Sequence, residues 1–282
     1  LRLFCNPLET FFNESNPRPQ PFFDDGIMNT GCWRGYQAWW EVQDSALYLI
    51  AVRNCNKNEK LDLRRIFGPA AKFNKIRADW YSGKLCAPKG KMTHYIHAGY
   101  ESIFEKEIIF EVNRGRIIRF DEYRNIPDYI PPDFSLHFFY NFNIILPLEM
   151  HYCEDLNYDF CYADSMNTMK FYGSQIDLEE LDSLGGAVDY VEVALNTFSD
   201  ELIDKFFFDS IRLKKITRGM GGWVDGVDLI SKERLRLFAA ANSEQLLVIY
   251  FLTKNRSERD FQYYAKNIFD FIRLRESCSE YL

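Results

Sequence analysis

The best candidates for acid–base chemistry are two glutamates near the middle of the chain. Glu105 and Glu107 lie two residues apart in the segment EKEIIF, and this spacing places both carboxylates on one face of a β-strand, about 7 Å apart along the chain. Paired carboxylates can divide the roles of general acid and general base, or can hold a metal ion. The same spacing is typical of the solvated face of a hairpin, which is the more ordinary interpretation.

A histidine flanked by tyrosines provides a second group of chemically capable side chains. Tyr95 and His97 share one strand face, and Tyr100 follows directly after a glycine. His94 lies three residues from His97 and therefore on the opposite face, which argues against a metal site shared by the two imidazoles. The alternative is a histidine that makes only a structural hydrogen bond.

These side chains define the predicted sites. The predicted catalytic residues are Glu105, Glu107 and His97, which would serve a hydrolase or a transferase. The predicted ligand-binding residues are Asp79, Trp80, Tyr95 and Tyr100. We predict no metal site and no cofactor. The glycine-rich loop at 219–223 lacks the lysine of a phosphate-binding loop, which argues against nucleotide binding, and Ser82 lacks the flanking glycines of a nucleophile elbow, which argues against a serine nucleophile.

Cysteine usage and hydropathy bear on the compartment. The seven cysteines are widely spread, with no C-x-x-C pair and no zinc-like spacing to histidine, which predicts reduced and mostly buried thiols. The longest apolar runs, 46–52 and 246–252, have seven residues each, far fewer than the ~20 of a membrane-spanning helix. The first residues show no basic start followed by an apolar stretch. We therefore expect a cytoplasmic protein that does not cross a membrane.

The charge is distributed unevenly along the chain. The net charge of −7 divides into +4 for residues 1–125 and −11 for residues 126–282. An acidic half argues against nucleic-acid binding, because phosphate recognition needs a concentrated basic face. Together with an aromatic content of 17%, it favours a protein partner of basic character. The alternative is that the acidic half is simply a solvated surface.

The elements that must position these residues in the first half are strands. Alternating apolar residues predict a hairpin over 36–52, a strand over 76–85 and a hairpin over 105–120, and a short helix or turn is predicted at 61–67. A proline-rich connector follows, so we place a domain boundary near residue 130. The predicted first domain, 1–130, is an antiparallel β domain with an extended N-terminal lead-in.

The second half, 131–282, predicts an α+β domain. Segments that start at Met166, Val188 and Phe208 match the offsets of a leucine-rich repeat, which leaves a repeat-like solenoid as an alternative. Short helices are predicted after the capping residues Asp177, Ser199 and Ser231. A final amphipathic helix after Ser257 follows a buried strand at 246–252.

Residues 31–125 also resemble a family of small, uncharacterised bacterial proteins. The family shares the patterns GYxAxWEI, ADWFSGxL and YxHxGYxSxYEKE, and the chain has GYQAWWEV at 35–42, ADWYSGKL at 78–85 and YIHAGYESIFEKE at 95–107. The departures are Val42, Tyr81 and Phe104. The resemblance implies no particular activity.

Two hypotheses of function follow. The first is a non-enzymatic macromolecule-binding protein, of which an immunity or toxin-neutralising protein is one concrete form. The alternative is an unrecognised hydrolase or transferase with a paired-carboxylate site. Whether the chain is an enzyme is left open.

Overall fold

The computed structural model describes residues 3–18, 32, 34–55, 59–97, 100, 102–139, 141–178 and 186–275. The chain forms two compact units, of which unit 1 is built on residues up to Asn125 and unit 2 on residues from Ile126. Of the described residues, 49% are in strands and 16% in helices, and the strand ladders are antiparallel. The predicted α+β class with antiparallel sheets is confirmed, with strands predominant. Autonomous folding of two domains divided near residue 130 stays a prediction.

Among the described residues, unit 1 forms a seven-stranded sheet and one short helix. The elements are β1 (Tyr36–Gln43), β2 (Ala46–Asn54), β3 (Lys60–Leu61), α1 (Leu63–Phe67), β4 (Ile76–Arg77), β5 (Gly83–His94), β6 (Ile103–Asn113) and β7 (Arg116–Arg124). The main path runs β1, β2, β7, β6, β5, while β3 and β4 pair with β2. The helix begins after Asp62, whose side chain accepts a hydrogen bond from the Arg64 amide, and it ends at Gly68, in agreement with the prediction.

Tight turns with left-handed residues close the two predicted hairpins of unit 1. Asp44 and Ser45 have φ angles of 52° and 59° between β1 and β2, and Arg114 and Gly115 have 45° and 70° between β6 and β7. Two consecutive positive φ angles are typical of type I′ turns, which match the twist of paired strands. A Cβ atom at Gly115 would lie 2.7 Å from the Ala78 carbonyl oxygen, so this turn needs glycine. Both predicted hairpins are confirmed.

The prediction of a continuous strand over 76–85 is wrong for residues 78–82, which are not part of a strand. The Ala78 amide donates to the Leu47 carbonyl at 2.9 Å, and the Tyr81 amide donates to the Ala78 carbonyl at 2.9 Å, which forms a turn. Ala78 and Tyr81 are almost fully buried, at 0% and 1% exposure. The apolar spacing therefore reflects a turn that inserts two side chains into the core, and only the ends of the segment belong to strands.

The β5–β6 ladder of unit 1 carries apolar side chains on both faces. Leu85 and Phe110 contribute to a large core that includes Leu8, whereas their neighbours Cys86 and Ile109 pack with Phe4 in a small second cluster. Successive residues of a strand point to opposite faces. The N-terminal segment thus supplies residues to both faces, and the Phe4 amide donates to the Cys86 carbonyl at 2.7 Å.

The described residues contain two disulfide bonds, Cys32–Cys55 in unit 1 and Cys153–Cys161 in unit 2. The prediction of reduced thiols is wrong for these four cysteines, because pairing depends on proximity in the fold, which their sequence spacing does not reveal. It is confirmed for Cys5 and Cys86, which are free and buried. Cys278 lies outside the described residues.

Within the described part of unit 2, eight strands form one sheet and three form another. The elements are β8 (Phe134–Phe138), β9 (Phe142–Pro147), β10 (Met150–Tyr152), β11 (Phe160–Asp164), β12 (Met169–Asp177), α2 (Ala187–Glu201), β13 (Phe207–Phe208), β14 (Arg212–Ile216), β15 (Gly219–Val227), β16 (Arg234–Ala241), β17 (Gln245–Thr253), α3 (Glu258–Asp270) and β18 (Arg273–Leu274). The large sheet runs β10, β11, β12, β17, β16, β15, β13, and β14 pairs with β15; the small sheet runs β18, β9, β8.

The central strands of unit 2 are buried on both faces. Phe238 of β16 and Phe251 of β17 pack with α3 and the small sheet, while Leu237 and Tyr250 pack with α2. Burial on both faces produces a continuous apolar run without alternation. The predicted buried strand at 246–252 is confirmed as β17, and the predicted final helix is confirmed as α3, where the Ser257 side chain accepts a hydrogen bond from the Asp260 amide.

Other predictions for unit 2 differ from the structure. The segment after Ser231 is strand β16 instead of a helix, because its leucines and alanines are buried on both faces. Of the helix predicted over 200–207, after Ser199, only Asp200 and Glu201 are helical, as the end of α2, which starts much earlier, at Ala187. The helix predicted over 178–184, after Asp177, lies outside the described residues except for Leu178.

The leucine-rich-repeat alternative is not confirmed. Its three predicted segments adopt unlike structures: Met166 lies in the turn before β12, Val188 lies in α2 and Phe208 ends β13. A leucine-rich repeat stacks similar units side by side, whereas β12 and β13 lie apart in an antiparallel sheet, with β17, β16 and β15 between them. In the part of the chain that the structure describes, no helix is long and apolar enough to cross a membrane.

Candidate functional site

Glu105, the first predicted catalytic carboxylate, supports an irregularity in the neighbouring strand. The β5–β6 pairing shifts register between Lys89 and Met92, and the Lys91 amide donates to Glu105 Oε2 at 3.1 Å. Gly90 in this bulge has a φ of 85°, and a Cβ atom there would lie only 2.3 Å from the same oxygen. The carboxylate of Glu105 is therefore packed against the β5 backbone and satisfies one amide of the bulge.

Glu107 lies on the same face of β6, but it is only 4% exposed. It opposes Pro88 on β5 and Tyr123 on β7. The interpretation of a solvated strand face is wrong for Glu107, because the small cluster around Ile109 covers this side of the sheet. Burial of a carboxylate is costly without compensating contacts, so Glu107 differs physically from an ordinary surface glutamate.

His97 is held by Tyr95 in the loop after β5. The Tyr95 hydroxyl and His97 Nδ1 are 2.8 Å apart, and both residues are exposed. The β5–β6 ladder ends at the pair His94 and Ile103. Glu107 lies four residues further along β6, a distance of about 13 Å at the usual rise of a strand. The structure therefore brings His97 to Tyr95 and does not place it beside Glu107.

The remaining predicted ligand-binding residues do not share a site. Tyr100 stacks on Phe4 with ring centroids 5.6 Å apart and belongs to the small cluster. Trp80 stacks on Phe67 at 5.3 Å and packs against the large core on the other face. Asp79 is exposed and forms an ion pair with Arg77 at 2.8 Å.

Trp80 and Tyr100 do share a role in holding the N-terminal segment. Trp80 Nε1 donates to the Pro7 carbonyl at 3.0 Å, and the Tyr100 hydroxyl donates to Asn6 Oδ1 at 2.9 Å. Each aromatic residue fixes a neighbouring residue of the same short segment. Their polar atoms are thus engaged within the chain, which favours a structural role for both.

An open cleft of about 610 Å³ in unit 1 was not predicted from the sequence. It is lined by Arg64, Gly68, Pro69, Ala71, Lys72 and Phe73. Phe73 is 93% exposed and has a φ of 51°, an unusual conformation for a bulky residue. The sequence signal that could have found this cleft is Phe73 between two lysines, shortly after the Gly68-Pro69 turn. The positive charges of Arg64 and Lys72 beside the exposed Phe73 ring suit an anionic group, whereas the sequence predicted a basic partner.

Helix α2 of unit 2 presents an acidic outer surface. Its inner face buries Tyr190, Val191, Ala194 and Leu195. Its exposed side carries Asp189, Glu192 and Asp200, and Glu201 is exposed at its C-terminal end. We call these four carboxylates the acidic face. The sequence from 171 to 204 contains nine acidic residues and no Lys, Arg or His. Much of the negative charge of the second half is thus concentrated around one helix, a detail that the charge difference between the two halves does not show.

The first basic residue after α2 is engaged elsewhere. This residue, Lys205, forms an ion pair with Glu233 at 2.7 Å. The negative charge also affects a neighbouring phenol: the pKa of Tyr158 is raised, first by burial and then by the charges of Asp155 and Glu201. Within the described residues, no basic side chain forms an ion pair with the acidic face, whose charge is therefore directed towards solvent.

Two members of the acidic face oppose the helix dipole. Asp200 and Glu201 occupy the last turn of α2, where no basic residue is present. The C-terminal end of a helix carries partial negative charge, and an anion there typically costs about 0.3–1 kcal/mol. The acidic face is therefore maintained at some expense of helix stability.

Comparisons with known proteins add no family. No family model matches the chain, and no curated protein is similar to it. Among solved structures, cyanobacterial PsbP (CyanoP) from Synechocystis sp. PCC 6803 is similar with a TM-score of 0.39 and 8% identity over 53% of this chain and 96% of that chain. The Ran-binding protein Mog1p from Saccharomyces cerevisiae gives 0.33 and 11% over 48% and 84%. A protein from Bacteroides thetaiotaomicron gives 0.33 and 15% over 49% and 46%. At these TM-scores the similarities carry no argument about function.

Proposed function

We propose that the chain is a non-enzymatic binding protein that recognises a basic protein partner through the acidic face of α2. The observation that supports this most is the uncompensated charge of that face, concentrated in a segment without a single basic residue. Complementary charges accelerate encounter and select the correct partner. A partner with a basic surface would neutralise the carboxylates that the chain itself leaves unneutralised.

Apolar side chains within and beside the acidic face support protein recognition. Val193 is 46% exposed and Ile203 is 67% exposed. Interfaces combine such apolar contacts with a charged rim, whereas nucleic acid would be repelled by this charge. A toxin-neutralising or immunity protein is a concrete form of the proposal, since an acidic face can cover a basic functional surface of a toxin.

The compartment is part of this proposal. A cytoplasmic location stays a prediction, and the Cys32–Cys55 and Cys153–Cys161 bonds weigh against it, because cytosolic thiols are normally kept reduced. Peptide mapping without reductant, on protein isolated from its native host, decides the matter. Intact cross-linked peptides would indicate an oxidising compartment, and free thiols at these four positions would support the cytoplasm.

The rival function is a hydrolase or transferase that uses Glu105 and Glu107. One observation favours it: Glu107 is a carboxylate held at 4% exposure, which a purely solvated strand face does not explain. Against it stand the structural contact of Glu105 with Lys91 and the separation of His97 from Glu107. If substrate screening finds a turnover, Glu105→Gln with Glu107→Gln should lower it at least ~100-fold.

A charge-matched pair of variants tests the binding proposal. The face variant combines Glu192→Gln, Asp200→Asn and Glu201→Gln. The control combines Glu14→Gln, Glu59→Gln and Glu154→Gln, which remove the same charge from exposed positions elsewhere. A partner is first captured from the native host and identified by mass spectrometry, and its affinity is then measured with purified proteins.

The two variants should differ in both affinity and stability. The face variant should weaken partner binding at least ~10-fold, an effect that shrinks as salt rises, and should unfold at a slightly higher temperature because the dipole conflict is relieved. The control should retain affinity within about twofold, since an exposed charge outside the contact acts only through screened, long-range attraction. Equal weakening by both variants, or by neither, would contradict recognition through the acidic face.

A further inference from the structure

The open cleft of unit 1 has the size of a small-molecule site. Its volume is about 610 Å³, and ligand pockets usually measure roughly 300–1,000 Å³. One part of its lining comes from helix α1 and the Gly-Pro turn that follows it, through Arg64, Gly68 and Pro69. Another part comes from a tight turn that includes Lys72 and Phe73. Two short elements that are close in sequence therefore form most of the cleft.

The cleft carries two positive charges that no described residue neutralises. Arg64 Nε donates to the Ala71 carbonyl at 3.4 Å, which keeps the guanidinium group at the wall of the cleft. Neither Arg64 nor Lys72 forms an ion pair in the part of the chain that the structure describes. Residues 60–77 contain six basic residues and one acidic residue, Asp62, whose carboxylate caps α1. The charges of Arg64 and Lys72 are therefore available to an anion.

Phe73 occupies a position where the fold gains little packing from an aromatic ring. The Lys75 amide donates to the Lys72 carbonyl at 3.0 Å. Phe73 and Asn74 lie between them with φ angles of 51° and 55°, which is typical of a type I′ turn. Asparagine and glycine tolerate this left-handed conformation, whereas a bulky side chain is strained in it. The Phe73 side chain is also 93% exposed. Strained residues cluster at binding sites, so this ring suits a ligand better than it suits the fold.

The charges and the ring together define the class of ligand. Arg64 can pair with phosphate oxygens through two parallel hydrogen bonds, and Lys72 adds a point charge. The face of Phe73 can stack on a nucleobase, as aromatic side chains do in nucleic-acid recognition. Inorganic phosphate would leave the ring unused and would fill only a small part of the cleft. An acidic side chain of a protein has no flat ring to stack.

We propose that the cleft binds a nucleoside phosphate, with the phosphate at Arg64 and Lys72 and the base stacked on Phe73. The stacking contact accepts any base, because every base has a flat aromatic face. The site belongs to unit 1 alone and goes beyond the recognition of a protein partner. It does not involve the acidic face of α2, whose charge would repel a phosphate, so either proposal can fail without the other.

Three related ligands, measured by isothermal titration calorimetry on the whole chain, separate the two contacts. Adenosine monophosphate (AMP) should bind saturably in the micromolar to low millimolar range. Adenosine lacks the phosphate and ribose 5-phosphate lacks the base, so each should bind at least ~10-fold more weakly than AMP, the loss expected for a charge-assisted phosphate contact or one stacked base. Higher salt should weaken the binding of AMP and leave that of adenosine unaltered.

Two adjacent arginines of α1 test the phosphate contact. Arg64→Gln removes the charge in the cleft and should weaken AMP binding at least ~10-fold, while the affinity for adenosine stays unchanged. Arg65→Gln removes an equal charge from the next residue, which is exposed and does not line the cleft. This control should alter AMP affinity by less than about twofold, since a charge outside the contact acts only through screened attraction.

A variant at Phe73 separates binding from stability. Phe73→Asn removes the ring and places in the left-handed position a residue that tolerates it. AMP should then bind as weakly as ribose 5-phosphate, while the unfolding temperature should rise because the strain is relieved. Phe73→Tyr keeps an aromatic face and should retain AMP affinity within about twofold. A loss of binding that accompanies a gain in stability cannot arise from unfolding.

Each of several results would overturn the proposal. One is the absence of saturable AMP binding at millimolar concentrations. Equal affinities for AMP and for either of its two parts would exclude a site with two contacts. Equal weakening by Arg64→Gln and Arg65→Gln would place the anion on a diffuse basic surface outside the cleft. A lower unfolding temperature for Phe73→Asn would show that the ring supports the fold. A thymidine oligonucleotide that binds far more tightly than AMP would indicate a surface for a nucleic-acid strand instead.

Discussion

The two units bury their sheets differently, and this decides which surfaces remain for recognition. In unit 2 the central strands β16 and β17 have α2 on one face and α3 with the small sheet on the other, so the sheet is enclosed. In unit 1 the strand β7 is paired on one side and leaves Phe120 exposed. The surface that unit 2 offers to a partner is therefore the outside of a helix, whereas unit 1 leaves part of a sheet exposed.

The largest expected effect comes from separating the two units. If each has its own core, cleavage of the connector should release two folded fragments. Tyr129 is 69% exposed and lies in the connector, outside every strand and helix, so limited proteolysis with chymotrypsin should cut there. Two fragments that each keep a cooperative unfolding transition are expected. A connector that resists cleavage, with cuts inside β16 or β17 instead, would contradict the division.

The next largest expected effect is the loss of stability when a phenyl ring is removed from the enclosed sheet of unit 2. Phe251→Ala removes a fully buried ring, at 0% exposure, and should destabilise unit 2 by about 3–5 kcal/mol. Phe120→Ala removes the same ring at 65% exposure and should change stability by no more than about 0.5 kcal/mol in dilute protein. Chemical denaturation measures both. Similar losses for the two variants would refute the difference in burial.

The disulfides should stabilise the two units unequally. Cys32 and Cys55 are 23 residues apart, and Cys153 and Cys161 are 8 apart. The loop-entropy estimate gives about 3.4 kcal/mol for the first and about 2.6 kcal/mol for the second. Paired Cys→Ser variants, compared by denaturation, should therefore weaken unit 1 more than unit 2. If added reductant shifts neither transition, the bonds do not form in solution.

The smallest effect concerns acid sensitivity of unit 1. Hydrogen bonds from Lys106 and then Lys89 lower the pKa of Glu122 from 4.5 to about 2. A carboxylate with a lowered pKa stabilises the folded state above its unfolded pKa, and this contribution is lost as the pH falls through 4.5 towards 2. Glu122→Gln should reduce the loss of unit 1 stability over that interval, with Glu59→Gln as the control. Because Glu122 is accessible to solvent, added salt should shrink the difference.

Local signals in the sequence were sufficient for the hairpins and for the last helix. Asp44 with Ser45 and Arg114 with Gly115 are turn residues whose conformations are decided within a few residues. The cap at Ser257 and the apolar face of α3 are local in the same sense. These elements are confirmed because nothing distant competes with their preferences.

Non-local packing explains the elements that the sequence did not predict. Strand β16 reads as a helix because burial on both faces erases the alternation that marks a strand. Glu107 reads as a solvated residue because the cluster that covers its face includes Phe4, roughly a hundred residues earlier in the chain. The disulfide partners and the limited pairing of β7 with β2 depend on strand order, which periodicity cannot supply.

The enclosure of β16 and β17 has a consequence for amide hydrogen exchange. These strands are bonded on both edges as well as buried on both faces, so their amides can meet solvent only when unit 2 opens as a whole. Strand β7 pairs with β2 only at Arg116, so those of its amides that point away from β6 should exchange earlier than the amides of β16 and β17.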